Sequence, residues 1–452
     1  MPLTRTPLLA DTVRKLVARG AYVNAYKILN RLHPSDVAAI LGDLSEHLRR
    51  DTFKTLYRRD LTLASEALSE LGPERGAVIL SEMSSQEISL ILQELDPDDA
   101  ADFVADLPDE LQEAILGAMR AKEASEVEDL LQYPEQTAGR IMSPKVFSLE
   151  EESTVEEAIR ELQDAGDLEM VFYIYVVDEH GNLVGVLSLR QLLLKRPEIP
   201  LKDIMATDVI RVTTDTDQEE VSQLVASYNI LAIPVVDTQN KLVGVITVDD
   251  VIDVIKEEAT EDMYRLAGLD VEERVFTPPL TSIRKRIPWL VVNLVTAFLA
   301  ALVVSQFEGT IARFATLAVF MPVVPLLAGN AGNQTLTVMV RGIALGELSW
   351  ANSRKALVKE FLVGIANGVV LGALVGIVGY LWKGDAIIGA VLSLAMLGTL
   401  LVAAVTGTIV PLFLRWLKVD PALASSVFVT TATDVTGFLL FLGLGALALA
   451  RF

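Results

Sequence analysis

Thr430-Thr431-Ala432-Thr433-Asp434-Val435-Thr436-Gly437 lies in the middle of the last long apolar run, residues 421–450. A run of that length is what one helix needs to cross a bilayer. A carboxylate at its centre costs roughly 3 kcal/mol on insertion scales, so such a group faces a water-filled path or a partner inside a bundle. At helical spacing Ser426, Thr430 and Asp434 form one polar stripe. The stretch therefore predicts a cation pathway with Asp434 at its narrow part. The plainer reading is an acid hydrogen-bonded within the bundle and carrying no ion.

Composition widens this to the whole chain. The 452 residues are too many for one ordinary domain. They are 51% hydrophobic yet carry a net charge of -22, a conflict inside a single globular domain. The conflict resolves by region: residues 281–452 hold 12 Lys+Arg and 6 Asp+Glu, whereas residues 1–280 hold 26 and 54. The first part reads as soluble and acidic, the second as a membrane domain. There is no Cys, so disulfides and thiolate metal sites are excluded, and the three His residues form no metal motif. Acids without soft ligands favour hard cations such as Mg²⁺, Mn²⁺ or Ca²⁺. The charge argues against nucleic acid as a partner. Residues 1–22 contain no continuous apolar core, so no signal peptide is expected and the soluble part is expected in the cytosol.

Residues 1–132 read as short amphipathic helices built on a degenerate repeat. Leu32-His33-Pro34-Ser35-Asp36-Val37-Ala38-Ala39-Ile40-Leu41 resembles Leu95-Asp96-Pro97-Asp98-Asp99-Ala100-Ala101-Asp102-Phe103-Val104, with weaker copies at 71–74 and 107–110. Pro suits a first helical turn, and the apolar residues behind it recur at helical period. Stacked helices forming a superhelical domain are expected. Glu66, Asp98, Asp99 and Asp102 are either a metal-binding edge or a solvated face.

Residues 133–255 change to alternating strands and helices. Ile174 to Asp178, a turn at His180-Gly181-Asn182, then Leu183 to Leu187 read as a hairpin. The layout recurs as Ala232 to Asp237, a turn at Gln239-Asn240, then Leu242 to Ile246. Helices at 154–165 and 218–228 precede the hairpins, and the phrases Ile141-Met142-Ser143-Pro144 and Ile204-Met205-Ala206-Thr207 introduce the copies. This tandem layout resembles a pair of cystathionine-beta-synthase (CBS) domains. Such pairs often bind adenine nucleotides, with an Asp on the ribose in a Gly-x-x-(Ser/Thr)-x-x-Asp element. The second copy keeps it as Gly244, Thr247 and Asp250; the first has Gly185, Ser188 and Gln191. ATP stands as an open ligand, beside a purely structural or ion-sensing role.

A connecting helix and linker are expected over 256–280. In Asp249 to Asp262 the acids Asp250, Asp253, Glu257 and Glu261 fall on one helical face and repel one another unless cations neutralise them. Membrane spans are expected at about 287–306, 310–328, 361–382, 386–414 and 421–450, with Pro411 ending or kinking the fourth and Gly364, Gly368, Gly372 and Gly376 allowing close helix contact in the third. An internal N-terminus places Arg341, Arg354, Lys355, Lys359, Arg415 and Lys418 inside and the C-terminus outside, in agreement with the positive-inside rule. Gly329-Asn330-Ala331-Gly332-Asn333-Gln334-Thr335 predicts a non-helical bend whose amides suit the water shell of a cation.

Together these residues resemble the MgtE family of bacterial magnesium channels and transporters over nearly the whole chain. The most specific motifs are Gly329 to Gln334 and Thr433 to Gly437. The resemblance implies a multidomain membrane protein: an α-helical superhelical N domain (1–132), an α/β tandem CBS-domain pair (133–255), a connecting helix (256–280) and a five-helix transmembrane domain (281–452). It implies a homodimer in the cytoplasmic (inner) membrane lipid, with a pore on the two-fold axis lined by the second and fifth spans. There Asp434 holds a hydrated Mg²⁺, with Asn330, Asn333, Gln334, Ser426 and Thr430 lining the path. It further implies Mg²⁺ as regulator as well as cargo, sensed at Glu66, Asp98, Asp102, Gly139, Asp250, Asp253, Glu258, Glu261, Asp262 and Asp420, so that high internal Mg²⁺ closes the pore. Asn229 stands where some members have a sensor Asp. The competing readings are a Mn²⁺ or Co²⁺ secondary transporter with nucleotide-regulated CBS domains, and a membrane enzyme. For the latter the chain has neither Gly-x-x-x-x-Gly-Lys-(Ser/Thr) nor His-Glu-x-x-His.

Overall fold

The computed structural model describes residues 6–165, 171–271, 273, 275, 277–423 and 425–451. Parts of the stretches read above at 1–22, 133–255, 256–280 and 421–450 lie outside the described residues. The chain divides into two compact units, Met1–Val254 and Ile255–Phe452.

The first unit begins with short helices, α1 (Thr6–Ala18) to α10 (Ala121–Leu131). Two of them, α3 (Pro34–Gly42) and α8 (Pro97–Ala105), open on the prolines of the sequence repeat. They bury the same offsets behind Pro: Val37, Ala38, Ile40 and Leu41 in one, Ala100, Ala101, Phe103 and Val104 in the other. The repeat is thus a repeat of core contacts, with α5 (Leu61–Ser69) among the helices between. Asp98 breaks the pattern. It is buried, whereas Ser35 at the same offset is not.

Two three-stranded sheets follow. In the first, β1 (Ser148–Glu150) runs parallel to β2 (Tyr173–Val177), which pairs antiparallel with β3 (Leu183–Ser188). The second repeats this with β4 (Val212–Thr213), β5 (Ala232–Val236) and β6 (Leu242–Thr247). Helices α11 (Val155–Asp164) and α13 (Gln218–Tyr228) precede the hairpins, and α12 (Leu189–Leu193) follows the first. The two introducing phrases are exchanged. Met205, which introduces the second copy, lies over Gly185 of the first, where a Cβ would meet its sulfur at 2.3 Å. Met142 covers Gly244 of the second, at 2.6 Å by the same measure. Each sheet therefore packs the thioether that introduces the other.

One helix, α14 (Val248–Leu266), leaves β6 and runs into the second unit. There, among the described residues, five helices are long and apolar enough to cross a membrane, counting Thr316–Ala344 as one. They are α15 (Pro279–Ser305), the stretch that joins α17 (Thr316–Phe320) to α18 (Val323–Ala344), α19 (Ser353–Lys383), α20 (Ala386–Trp416) and α21 (Ser425–Arg451). A short α16 (Glu308–Arg313) precedes the second span. The glycines of α19 make the expected close contact: a Cβ at Gly372 would lie 2.8 Å from the Ser393 carbonyl oxygen, and one at Gly376 2.8 Å from that of Gly389, both in α20.

Two expectations are corrected. The second span is not 310–328 but Thr316–Ala344, and the segment from Gly329 to Thr335 is not a bend but the middle of α18. In water two glycines cost a helix about 1 kcal/mol each. In a bilayer every freed backbone group costs several, so the helix persists and only the amide side chains project. Gly332 then serves packing: a Cβ there would fall 2.6 Å from Val429 Cγ1 on α21. Of the two readings of Pro411, an end or a kink of the fourth span, the first is excluded, because Pro411 lies inside α20.

Candidate functional site

In the second unit, Ser426, Thr430 and Asp434 project from α21 into a cavity of about 240 Å³. Its other walls come from Trp289, Asn293 and Thr296 of α15, and from Arg265 to Gly268 at and beyond the end of α14. Ser426 donates to Asn333 Oδ1 of α18 at 3.2 Å. Asp434, Thr430, Ser426 and Asn333 are thus brought together. Asn330 and Gln334 lie on the exposed side of α18, and Gln334 lines a different cavity. The sequence reading passed over Asn293 and Trp289. The available signal was an amide within an otherwise apolar span, which is costly in lipid unless it has a polar neighbour.

Five carboxylates line a cavity of about 130 Å³ in the first unit, Asp96, Asp98, Asp99, Asp249 and Asp250, with Lys145 and Tyr175 among the other walls. Burial pushes the Asp98 carboxyl well above the usual carboxylate range, and the neighbouring charge of Asp250 adds to this. Asp98 Oδ1 is buried with no hydrogen-bond partner. Asp250 is itself pushed up to about 7 by burial, although the Thr247 hydroxyl donates to it at 2.8 Å and favours the charged form. The Thr247 amide also donates to the Asp250 carboxylate, at 3.3 Å, as the Ser188 amide does to Gln191 in the capping box of α12. Burial also raises Asp99, against a bond from Ser69. Asp253 is exposed one turn beyond Asp250 and adds its charge to Asp99.

The remaining candidates of this unit lie along the neighbouring helices. Glu66 is exposed on α5, one turn before Ser69. Asp102 pairs at 3.1 Å with Arg140, which is buried and also donates to the Ala101 carbonyl. Gly139 precedes it, and a Cβ there would strike the Tyr133 ring at 2.7 Å, so only glycine fits.

A second acid cluster lies at the other end of α14, inside the second unit. Glu261 is buried and Glu258 half-buried. Burial, then the charges of Asp420 and Glu258, push Asp262 up to about 6. Arg265 donates to both Glu261 and Asp420, while Asp420 also accepts from the Ala422 amide at 2.8 Å and so shapes the turn before α21. The expected row of four acids on one face is thus divided: Glu257 is exposed and Glu261 turns inward onto Arg265.

Among the described residues, no three Asp, Glu or His side chains converge closely enough to hold an ion directly. An ion that keeps its waters does not need such convergence. The orphaned Asp98 oxygen beside Asp250 has the chemistry to take a cation through them.

A family profile described as a divalent cation transporter, MgtE, matches residues 321–444, and one for the MgtE intracellular N domain matches 32–136. CBS-domain profiles match 138–198 and 201–257. The magnesium transporter MgtE of Bacillus subtilis is 35% identical over 95% of this chain and 95% of its own. That of Thermus thermophilus is 36% identical over 98% of each. The chain belongs to the MgtE family. A crystal structure of the cytosolic domain of the Mg²⁺ channel MgtE in complex with ATP is 38% identical and superposes with a TM-score of 0.50, covering 54% of this chain and 99% of that one. The MgtE assignment carries with it the helical N domain, the CBS pair and the apolar helices that follow, and it removes the enzyme reading.

Proposed function

We propose that this chain moves Mg²⁺ into the cell across the cytoplasmic membrane and that internal Mg²⁺ shuts the path. The relatives named as magnesium transporters match over almost their whole length, and no feature favours the Mn²⁺ or Co²⁺ alternative. The observation that carries the reading is the Asp434 stripe opening into a cavity of about 240 Å³ within the five-helix unit. Mg²⁺ sheds its waters reluctantly, so a carboxylate with flanking hydroxyls suits a hydrated ion. The exposed Asn330 and Gln334 put two amides on one face of a membrane helix, which is costly against lipid. That face supports a homodimer in which a second copy covers it. The domains are assigned as 1–132, 133–255, 256–280 and 281–452, with the first three in the cytosol and the C-terminus outside.

Mg²⁺ is sensed at the two acid clusters, Asp98 with Asp250 and Glu258, Glu261, Asp262 with Asp420; Glu66, Asp102, Asp253 and the Gly139 carbonyl complete the set. The ion favours the state that binds it better, and that state is closed. ATP is a further ligand of the 130 Å³ cavity, where the buried Tyr175 hydroxyl has no hydrogen-bond partner. The carboxylate wall repels bare phosphates, so the nucleotide enters with Mg²⁺. Liposome flux tests the whole. Mg²⁺ uptake falls as internal Mg²⁺ rises, and Asp434→Ala abolishes selective flux. Selective Mg²⁺ uptake by that variant defeats the assignment.

A further inference from the structure

Away from Asp434, a second polar cavity of about 210 Å³ lies between α18, α19 and α20. Gln334, Thr335, Lys359, Glu360 and Asn367 form its polar wall. Glu360 is only 4% exposed. A buried carboxylate in a membrane helix is costly and calls for a function. Lys359 donates to one of its oxygens, and Thr335 of α18 donates to the other at 3.1 Å.

The threonine bond is out of character for this unit. Thr337, Thr399, Thr408, Thr431, Thr433 and Thr436 all turn their hydroxyls back to a carbonyl of their own helix. Thr335 reaches across to α19 instead. Two residues earlier Asn333 accepts from Ser426 of α21, so α18 is held from both sides at one level. There is no slack between the holds. A Cβ at Gly407 of α20 would lie 2.7 Å from the Gly332 carbonyl oxygen and 2.9 Å from Thr335 Cβ. One residue of helix is about 100° of rotation, so a turn of α18 that freed Thr335 would draw Asn333 off Ser426.

We propose that Glu360 is a positioning residue for the ion path. Its carboxylate, through Thr335, fixes the rotation of α18 that keeps Asn333 on Ser426. The inference rests on the reading that Ser426, Thr430 and Asp434 line the path. A charged acceptor makes the stronger bond, and Lys359 balances the charge that this strength requires.

The test uses the full chain in liposomes and reads two quantities, Mg²⁺ flux and the ratio of Mg²⁺ to K⁺ flux. Thr335→Val keeps the shape and removes the donor. It lowers Mg²⁺ flux on the order of tenfold and lowers the ratio with it. Adding Glu360→Ala to Thr335→Val costs nothing more, because both act through one bond. Glu360→Gln retains a neutral acceptor oxygen for Thr335 and loses less of the ratio than Thr335→Val. An unchanged ratio in Thr335→Val overturns the proposal, including the case in which flux falls only in step with the amount of folded protein in the membrane. So does a loss of ratio in Glu360→Gln equal to that in Thr335→Val. The path reading fails separately, by selective flux in Asp434→Ala, whatever Thr335→Val does.

Discussion

Helix α14 carries an acid cluster near each end, and the two are neutralised differently. Near its start, Asp98, Asp99, Asp249 and Asp250 surround a cavity in which Lys145 is engaged at 2.8 Å by Asp96. Near its end, Glu261 and Asp420 share the guanidinium of Arg265. Burial leaves Asp98 and Asp250 with raised affinity for protons, so the first cluster can relieve its repulsion by protonation. The second has a cation of its own, tethered one turn away. An external divalent ion therefore gains most at the first cluster, where it replaces protons on Asp98 and Asp250 while the Lys145–Asp96 pair stays in place.

Removing charge at the first cluster should have the largest effect. Asp98→Asn together with Asp250→Asn keeps size and hydrogen bonding but deletes the carboxylates that would face the ion. Half-inhibition of flux should move to internal Mg²⁺ on the order of tenfold higher or more, with maximal flux kept. The measurement is uptake into liposomes at graded internal Mg²⁺. Inhibition at the wild-type concentration would place the dominant sensor elsewhere.

The comparison also has a pH form, with a smaller effect. A carboxyl raised in the folded state contributes stability that is fully present below its ordinary value and lost as pH rises through the raised one. For Asp250 that window runs from the ordinary carboxylate range, about 4, up to about 7. Without divalent ions the chain should lose stability across it as pH rises, and Mg²⁺ should restore what is lost. Mg²⁺ added to the detergent-solubilised chain near pH 6.5 should release protons from Asp250, and near pH 8 fewer. Asp250→Asn should remove much of that release. Equal release at both pH values would show that the ion does not displace these protons.

How far the sequence could be read follows the same division between local and assembled features. The hairpins of the CBS pair were legible because alternation and turns are local; the exchange of Met142 and Met205 between copies was not, because it joins Met205 to Gly185 and Met142 to Gly244, 20 and 102 positions apart, only through the fold. Asp434 stood out because an acid in an apolar run is anomalous whatever surrounds it. Asp98 did not. Its repeat partner Ser35 sits at a solvated offset, and the cavity that Asp98 faces is walled by strand residues and by Asp250 of α14, far along the chain. The bend expected at Gly329 to Thr335 failed for a further reason: propensities weighed for water were applied where the bilayer sets the cost of an open backbone. Arg265 could not be singled out at all, since a basic residue in a charged helix is ordinary until Asp420 is seen beside it.

Arg265 supplies the smallest of the predicted effects and the most direct way to break the comparison. If its guanidinium is what distinguishes the second cluster, Arg265→Ala should make that cluster resemble the first. Glu261, Asp262 and Asp420 would then repel one another without relief, so flux at low internal Mg²⁺ should rise or stay high. The emptied cluster should also depend more steeply on the ion for closure. Because Arg265 is partly solvated the change is modest, a few-fold in the half-inhibiting Mg²⁺ concentration. Arg265→Lys keeps the charge but cannot span two carboxylates with a fork, and should recover only part of the wild-type response. Combining Arg265→Ala with Asp98→Asn and Asp250→Asn is the decisive case. With both clusters altered, the residual Mg²⁺ dependence should come from the second cluster alone and be lost when Asp420→Asn is added. If Asp420→Asn changes nothing in that background, Arg265 is holding a turn and not balancing a sensor.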